Sequence, residues 1–85
     1  MLAVTQIENT EATVYTCPSE KTAFIYVDVF STSASFVEMT VKINDVVYWS
    51  GSMVVWSCKL SLDAGDTVKI STPAQVNVFV HGIEV

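Results

Sequence analysis

Apolar residues recur at every second position along almost the whole chain. From Thr22 to Phe30, Ala23, Ile25, Val27 and Val29 form one row, and Phe24, Tyr26, Asp28 and Phe30 form the other. A period of two belongs to β-strands, whose successive side chains point to opposite faces. Further along, Val37, Met39, Val41 and Ile43 oppose Phe36, Glu38, Thr40 and Lys42; Val68 and Ile70 oppose Thr67, Lys69 and Ser71; Val76, Val78 and Val80 oppose Asn77, Phe79 and His81. These valine-rich rows are the predicted interior.

The pattern predicts strands at about 2–7, 12–17, 22–31, 35–43, 46–50, 53–61, 66–72 and 75–81, with a short extension through Val85. The breaks are Glu8-Asn9-Thr10, Pro18-Ser19-Glu20, Ser31-Thr32-Ser33, Asn44-Asp45, Ser50-Gly51-Ser52, Asp63-Ala64-Gly65 and Thr72-Pro73-Ala74. Turn signals at this spacing, with almost no room for a helix, read as an all-β domain of short antiparallel strands. Asn44-Asp45 fits a two-residue hairpin loop, because both residue types tolerate positive φ. Fifteen valines and nine threonines agree with the assignment, since β-branched side chains suit a pleated, half-buried surface. The expectation is one domain, residues 1–85, folded as a small antiparallel β-sandwich of about eight strands, jelly-roll-like or Greek-key-like.

The outward rows depart from this simple plan. Phe24, Tyr26, Phe30, Phe36 and Phe79 fall on positions that a solvated sheet fills with polar residues. Three such rings exposed together, at roughly 150–250 Å² each, exceed the apolar patch that a soluble monomer usually shows. These five are the candidate interface residues, with Met1 to Ile7 as a candidate arm or exchanged strand. The competing expectations are that both sheets are covered within the monomer, or that a bulge shifts the alternation and returns some of the rings to the core.

Composition sharpens this reading. Hydrophobic residues make up 51% of the 85 residues and charged residues only 15%, and a domain this small buries only about 60–65% of its unfolded surface, so association adds stability. The longest apolar runs, such as Met53 to Trp56, are far shorter than the roughly 20 residues of a membrane helix. The amino terminus shows neither a basic segment nor an apolar stretch of the secretory type, so synthesis in a cytoplasm and reduced Cys17 and Cys58 are expected. Nine acidic residues face four scattered lysines and no arginine, a net charge of -5. Phosphate backbones are bound by clustered cations, so nucleic acid is not an expected partner.

Chemistry-bearing constellations are sparse. His81 is the single histidine, and no serine sits on a glycine elbow that would make it a nucleophile, so His81 is read as a surface or interface residue. The two cysteines lack a nearby histidine pair and do not make a zinc site. Asp63 and Asp66 flank Gly65, but without the order of ligands in a calcium loop. Catalytic residues, cofactor and metal are accordingly expected to be none. Tyr48, Trp49 and Trp56 surround Ser50-Gly51-Ser52; they read as core or interface aromatics, or alternatively as a platform for stacking on sugar rings.

The stretch Tyr15-Thr16-Cys17-Pro18-Ser19-Glu20-Lys21-Thr22-Ala23, followed by an alternating strand, resembles the opening of small β-sandwich virion proteins of tailed bacteriophages, where a t-x-P-x-x-K-T-A segment leads into the first long core strand. Leu62-Asp63-Ala64-Gly65-Asp66-Thr67-Val68 resembles their L-x-A-G-D-x-V turn, and Val76-Asn77-Val78 through Gly82-Ile83-Glu84 resembles their terminal strand ending in G-I-E. The chain departs from that pattern at Ser19-Glu20, where a glycine commonly precedes the lysine. The same A-G-D-x-V turn recurs in cupins, whose metal-binding histidines are missing here. The resemblance implies a non-enzymatic virion component, made in the host cytoplasm. A capsid decoration or cement protein on the outer shell is the first expectation: a homo-oligomer, trimer or dimer, that bridges copies of the major capsid protein. The alternative is a tail-associated or receptor-binding module in which Tyr48, Trp49 and Trp56 meet glycan.

Overall fold

A computed structural model describes every residue from Met1 to Val85. Six strands form, all antiparallel, with no helix: β1 (Ala3–Thr16), β2 (Ala23–Ser31), β3 (Val37–Ile43), β4 (Val46–Met53), β5 (Val55–Leu62) and β6 (Thr67–Glu84). They make one curled sheet ordered β4-β3-β6-β2-β5, with β1 also paired to β6.

Six strands replace the expected eight because two of the expected breaks do not end a strand. Glu8-Asn9-Thr10 lies within β1 and Thr72-Pro73-Ala74 within β6, and the two are opposite each other: Glu8 pairs Gln75, and the ladder resumes at Thr10 with Thr72. Asn9 takes up the irregularity at φ 48°. Pro73 falls among the residues that the ladder skips, where a missing N–H costs no strand pairing. A local turn signal is thus absorbed as a bulge when both strands bend together. Thr72, buried at that bend, donates its hydroxyl to the Glu38 carbonyl at 2.8 Å and accepts from the Ala74 N–H at 3.1 Å.

The bend divides the long strands between two neighbourhoods. Thr67 to Ser71 of β6 pair β1 on one side, and over Val68 to Ser71 β3 lies on the other, with β4 beyond it; Val76 to Val80 lie between β1 and β2, with β5 beyond. Inward residues from both halves form a single core. Ala23, Val27, Val29, Val41, Val68, Ile70, Val76, Val78 and Val80 are wholly buried in it, together with Ile7, Ile25, Met39, Met53 and Leu62. At about 1.5 kcal/mol or more for each buried valine, this row is the main source of stability.

The end of the molecule away from the bend is closed by hydrogen bonds. Asn44 and Asp45, at φ 51° and 65°, make the two-residue β3–β4 turn. Asn44 Nδ2 donates to Asp66 at 2.9 Å while its Oδ1 accepts from the Thr67 N–H at 2.9 Å, so the turn is fastened to the β5–β6 loop. The β1–β2 loop joins through Cys17 N–H to the Asp66 carbonyl and Gly65 N–H to the Cys17 carbonyl, both 2.9 Å. A second bulge, between Thr13 and Tyr15, turns both Val14 and Tyr15 inward.

Candidate functional site

Strands β5, β2, β6 and β1 carry the candidate site on their outward face. Because the inward row of β2 is Ala23, Ile25, Val27 and Val29, its outward row is Phe24, Tyr26, Asp28 and Phe30. The antiparallel register sets Ser61, Lys59, Ser57 and Val55 beside these residues on β5, and Ile83, His81, Phe79 and Asn77 on β6. Val4 of β1 lies beside Phe79 and completes the apolar rows.

Four of the five predicted interface aromatics are brought together here. Phe24 and Tyr26 are each 48% exposed and Phe30 41%, and Phe30 meets the half-buried Phe79 edge to face, with ring centroids 5.8 Å apart. Val4, Val55 and Ile83 are exposed around them. A shallow hollow of about 240 Å³ opens between Phe24, Tyr26, Lys59 and Leu60. Phe36 is not part of this face: it lies in the loop before β3, 77% exposed, next to the other half of the sheet. The alternation does not slip along β2, so no ring there returns to the core. Met1 to Ile7 is docked in its own chain, with Ala3 to Ile7 paired to β6 and Ile7 buried.

A small polar cluster occupies the middle of the aromatic face. Asp28 accepts from the Ser57 hydroxyl at 2.7 Å and lies 3.3 Å from His81 Nε2. Lys59 holds its ammonium 5.2 Å from the Tyr26 ring centre, a cation–π contact. Serine, aspartate and histidine are therefore neighbours, but in the wrong order for acyl transfer. Ser57 and His81 both address the carboxylate between them, whereas a nucleophile has to be bonded to its base.

The other outward face, over β4, β3, β6 and β1, has a different character. Thr40 and Ser50 share a hydrogen bond of 3.1 Å, Lys42 pairs Glu11 at 3.1 Å and Lys69 pairs Asp45 at 2.5 Å. An open trough of about 470 Å³ crosses this face, lined by hydroxyls and amides such as Thr10, Thr40, Ser50, Ser52 and Ser71.

Ser50-Gly51-Ser52 is not a turn. It lies within β4, with Gly51 paired to Met39, and the chain bends at Val54 instead. A Cβ on Gly51 would stand 3.1 Å from the Trp49 ring, so the glycine gives that ring its place. Trp49 and Trp56 are half-buried on the core and meet each other at 5.6 Å, ring against ring, with planes 40° apart. They occupy one another's surfaces, and the exposed Tyr48, at the irregularity in β4, is the one member of the proposed glycan platform left open.

Both cysteines are free thiols. Burial raises the pKa of Cys17, and burial together with the Asp28 carboxylate pushes that of Cys58 up to about 11, so neither is a ready nucleophile at neutral pH. Tyr15 donates to the Glu84 carboxylate, and burial with that contact holds its phenol protonated well above the usual range. Asp66 is occupied by Asn44 and the Asp63 N–H, and no group of three or more potential metal ligands exists anywhere in the chain. Compared with protein-family models, curated proteins and solved structures, the chain matches none.

Proposed function

We propose that this chain is a non-enzymatic assembly protein whose work is done by burying the outward aromatic face against protein. One observation carries the reading: Phe24, Tyr26 and Phe30 stand exposed in one row while the core beneath them is already complete. The folded core does not require them to be displayed, and several large apolar side chains exposed on one face mark an interaction surface. The Ser57, Asp28 and His81 arrangement, which gives no activated nucleophile, supports a role without catalysis.

The tailed-phage resemblance gives this role a place: a decoration or cement protein, made in the host cytoplasm, that bridges major capsid subunits on the outer shell. The doubled-over sheet is compatible with a jelly-roll-like sandwich, because the two halves of β6 have different partners on one side while their inward residues share one core. The net charge of -5 suits an outer surface better than one facing DNA.

Cosedimentation of the purified chain with expanded tailed-phage capsids, in parallel with a glycan array, tests the reading. Saturable binding to capsids, lost on Tyr26→Ser, is expected. Binding to glycans that Tyr48→Ala abolishes would replace it with the receptor-binding reading, and binding to neither target would remove the capsid assignment.

A further inference from the structure

We propose that the outward aromatic face is covered by the same face of a second copy, in a two-fold dimer whose axis crosses the strands between Tyr26 and Asp28. This rests on the assembly reading and names the partner that the reading leaves open.

Three observations lead to a second copy. The first is charge. Of nine acidic residues, only Asp28 and, at the bend end of β1, Glu8 belong to the outward rows of this face, and Lys59 on the strand beside β2 balances Asp28. Most of the chain's net charge of -5 therefore resides on its other surfaces, through which two copies repel each other. This face brings apolar surface of two copies together with few charges on either side.

The second is area. Phe24, Tyr26, Phe30, Val4, Val55 and Ile83 are 41% to 62% exposed, and side chains of these sizes at such exposures offer about 500–600 Å² of apolar surface per copy. Two such faces, with the polar side chains between the rings, reach the roughly 1,200 Å² at which specific interfaces begin.

The third is the order of residues along β2. Phe24, Tyr26, Asp28, Phe30 is self-complementary when reversed about its centre. An antiparallel copy sets Phe24 against Phe30 of the second copy, and the Tyr26 hydroxyl against the Asp28 carboxylate of the second copy. Lys59, one strand away beside Tyr26, comes to the same carboxylate. Along β2, ring meets ring and the hydroxyl and ammonium meet the carboxylate, the self-complementary pairing of an isologous contact. The central carboxylate fixes the register, because shifting it by one outward residue sets Asp28 against Phe24 of the second copy in one direction and against the second copy's own Asp28 in the other.

Sedimentation equilibrium on the full chain tests this, with circular dichroism to verify folding. The native chain is expected to dimerise, and Tyr26→Ser with Phe30→Ser to raise the dissociation constant by about 100-fold or more, while Phe36→Ser and Tyr48→Ser, exposed elsewhere, leave it unchanged. Lys59→Glu and Asp28→Lys, each alone, set like charges across the axis and weaken the dimer; mixed in equal amounts, the two variants associate again. A monomer at all concentrations, a trimer, or a dimer indifferent to the double serine variant would overturn the proposal, as would failure of the mixture to associate. A monomer that still binds expanded capsids through Tyr26 would overturn the second copy and keep the assembly reading. A dimer that ignores capsids would keep the second copy and remove the capsid assignment.

Discussion

The two outward faces of this sheet rest on equivalent foundations and carry opposite surfaces. Under both, inward valines and isoleucines are wholly buried: Val27, Val29, Val78 and Val80 on one side of the bend, Val41, Val68 and Ile70 on the other. Above them, β6 displays Thr67, Lys69 and Ser71 before Pro73, then Asn77, Phe79, His81 and Ile83 after it. In β1 the change runs the other way along the chain, from Val4 and Gln6 to Glu11 and Thr13. One strand, with one inward pattern, thus passes from an apolar to a polar exterior at the bend. The polar half shows that neither backbone pairing nor the core requires outward rings. Their presence on β2 and β6 is a property of the surface, and burial against protein is the explanation proposed for it.

The same contrast reaches the glycines, and the largest predicted effect separates them. Gly82, in the aromatic half, has φ 142°, and a Cβ there would come within 2.1 Å of the Phe24 carbonyl oxygen and 2.8 Å of the Ile25 Cα. Two backbones have to part to admit it, so Gly82→Ala is expected to cost on the order of 3 kcal/mol or more in urea unfolding. In the polar half, Gly51→Ala meets only the Trp49 ring at 3.1 Å, at a position of ordinary φ. That ring gives way by a few tenths of an ångström, and a cost of about 1 kcal/mol or less is expected. Equal losses at the two sites would show that the halves are not packed as described.

A smaller effect probes how dry the aromatic half is. Cys58 faces inward on β5, opposite Val27, and burial with the neighbouring Asp28 charge raises its pKa to about 11. Its thiolate is correspondingly scarce, and alkylation at pH 8 is expected to run about 100-fold slower than for a free thiol. Asp28→Asn removes the lesser cause and speeds the reaction modestly. A native chain that reacts at the rate of a free thiol would mean that water reaches the inside of this half.

How much of this was legible in the sequence follows from how local each signal is. The inward rows were legible because period two is written into consecutive residues: Ala23, Ile25, Val27 and Val29 are all buried where the alternation sets them. The Asn44-Asp45 hairpin was legible for the same reason, two residues that accept positive φ between two alternating runs. The continuity of β1 and β6 was not. Whether Glu8-Asn9-Thr10 ends a strand depends on Thr72-Pro73-Ala74 bending beside it, more than sixty positions along the chain. Gly51 misled because a glycine that makes room for a tryptophan looks, in sequence, like a glycine that makes a turn. The site was legible where it follows parity, at Phe24, Tyr26, Phe30 and Phe79. It was not at Phe36, whose position depends on where β3 begins, nor in the Asp28, His81 and Ser57 cluster, which needs the register of three strands.

The smallest predicted effect belongs to the polar face and marks what a solvated surface contributes. Lys69 donates to Asp45 at 2.5 Å; the hydrogen bond and then the charge of that ammonium hold the Asp45 carboxyl below its ordinary range, and the same contact raises Lys69. A carboxyl with a lowered folded-state pKa binds its proton more weakly folded than unfolded. Its contribution is present above the unfolded value of about 4 and is lost as pH falls through the lower folded value. Asp45→Asn is therefore expected to melt slightly below the native chain at pH 7 and together with it once the native carboxyl is protonated. Because Asp45 is 72% exposed, water and salt screen the pair, and the difference at pH 7 shrinks further in high salt. A gap that persists in acid would trace instead to the Asn44-Asp45 turn, where the side chain at a positive φ matters more than its charge. On the aromatic face, Tyr26→Ser is likewise expected to leave the folded chain almost as stable, and under the proposed contact its effect falls on association instead.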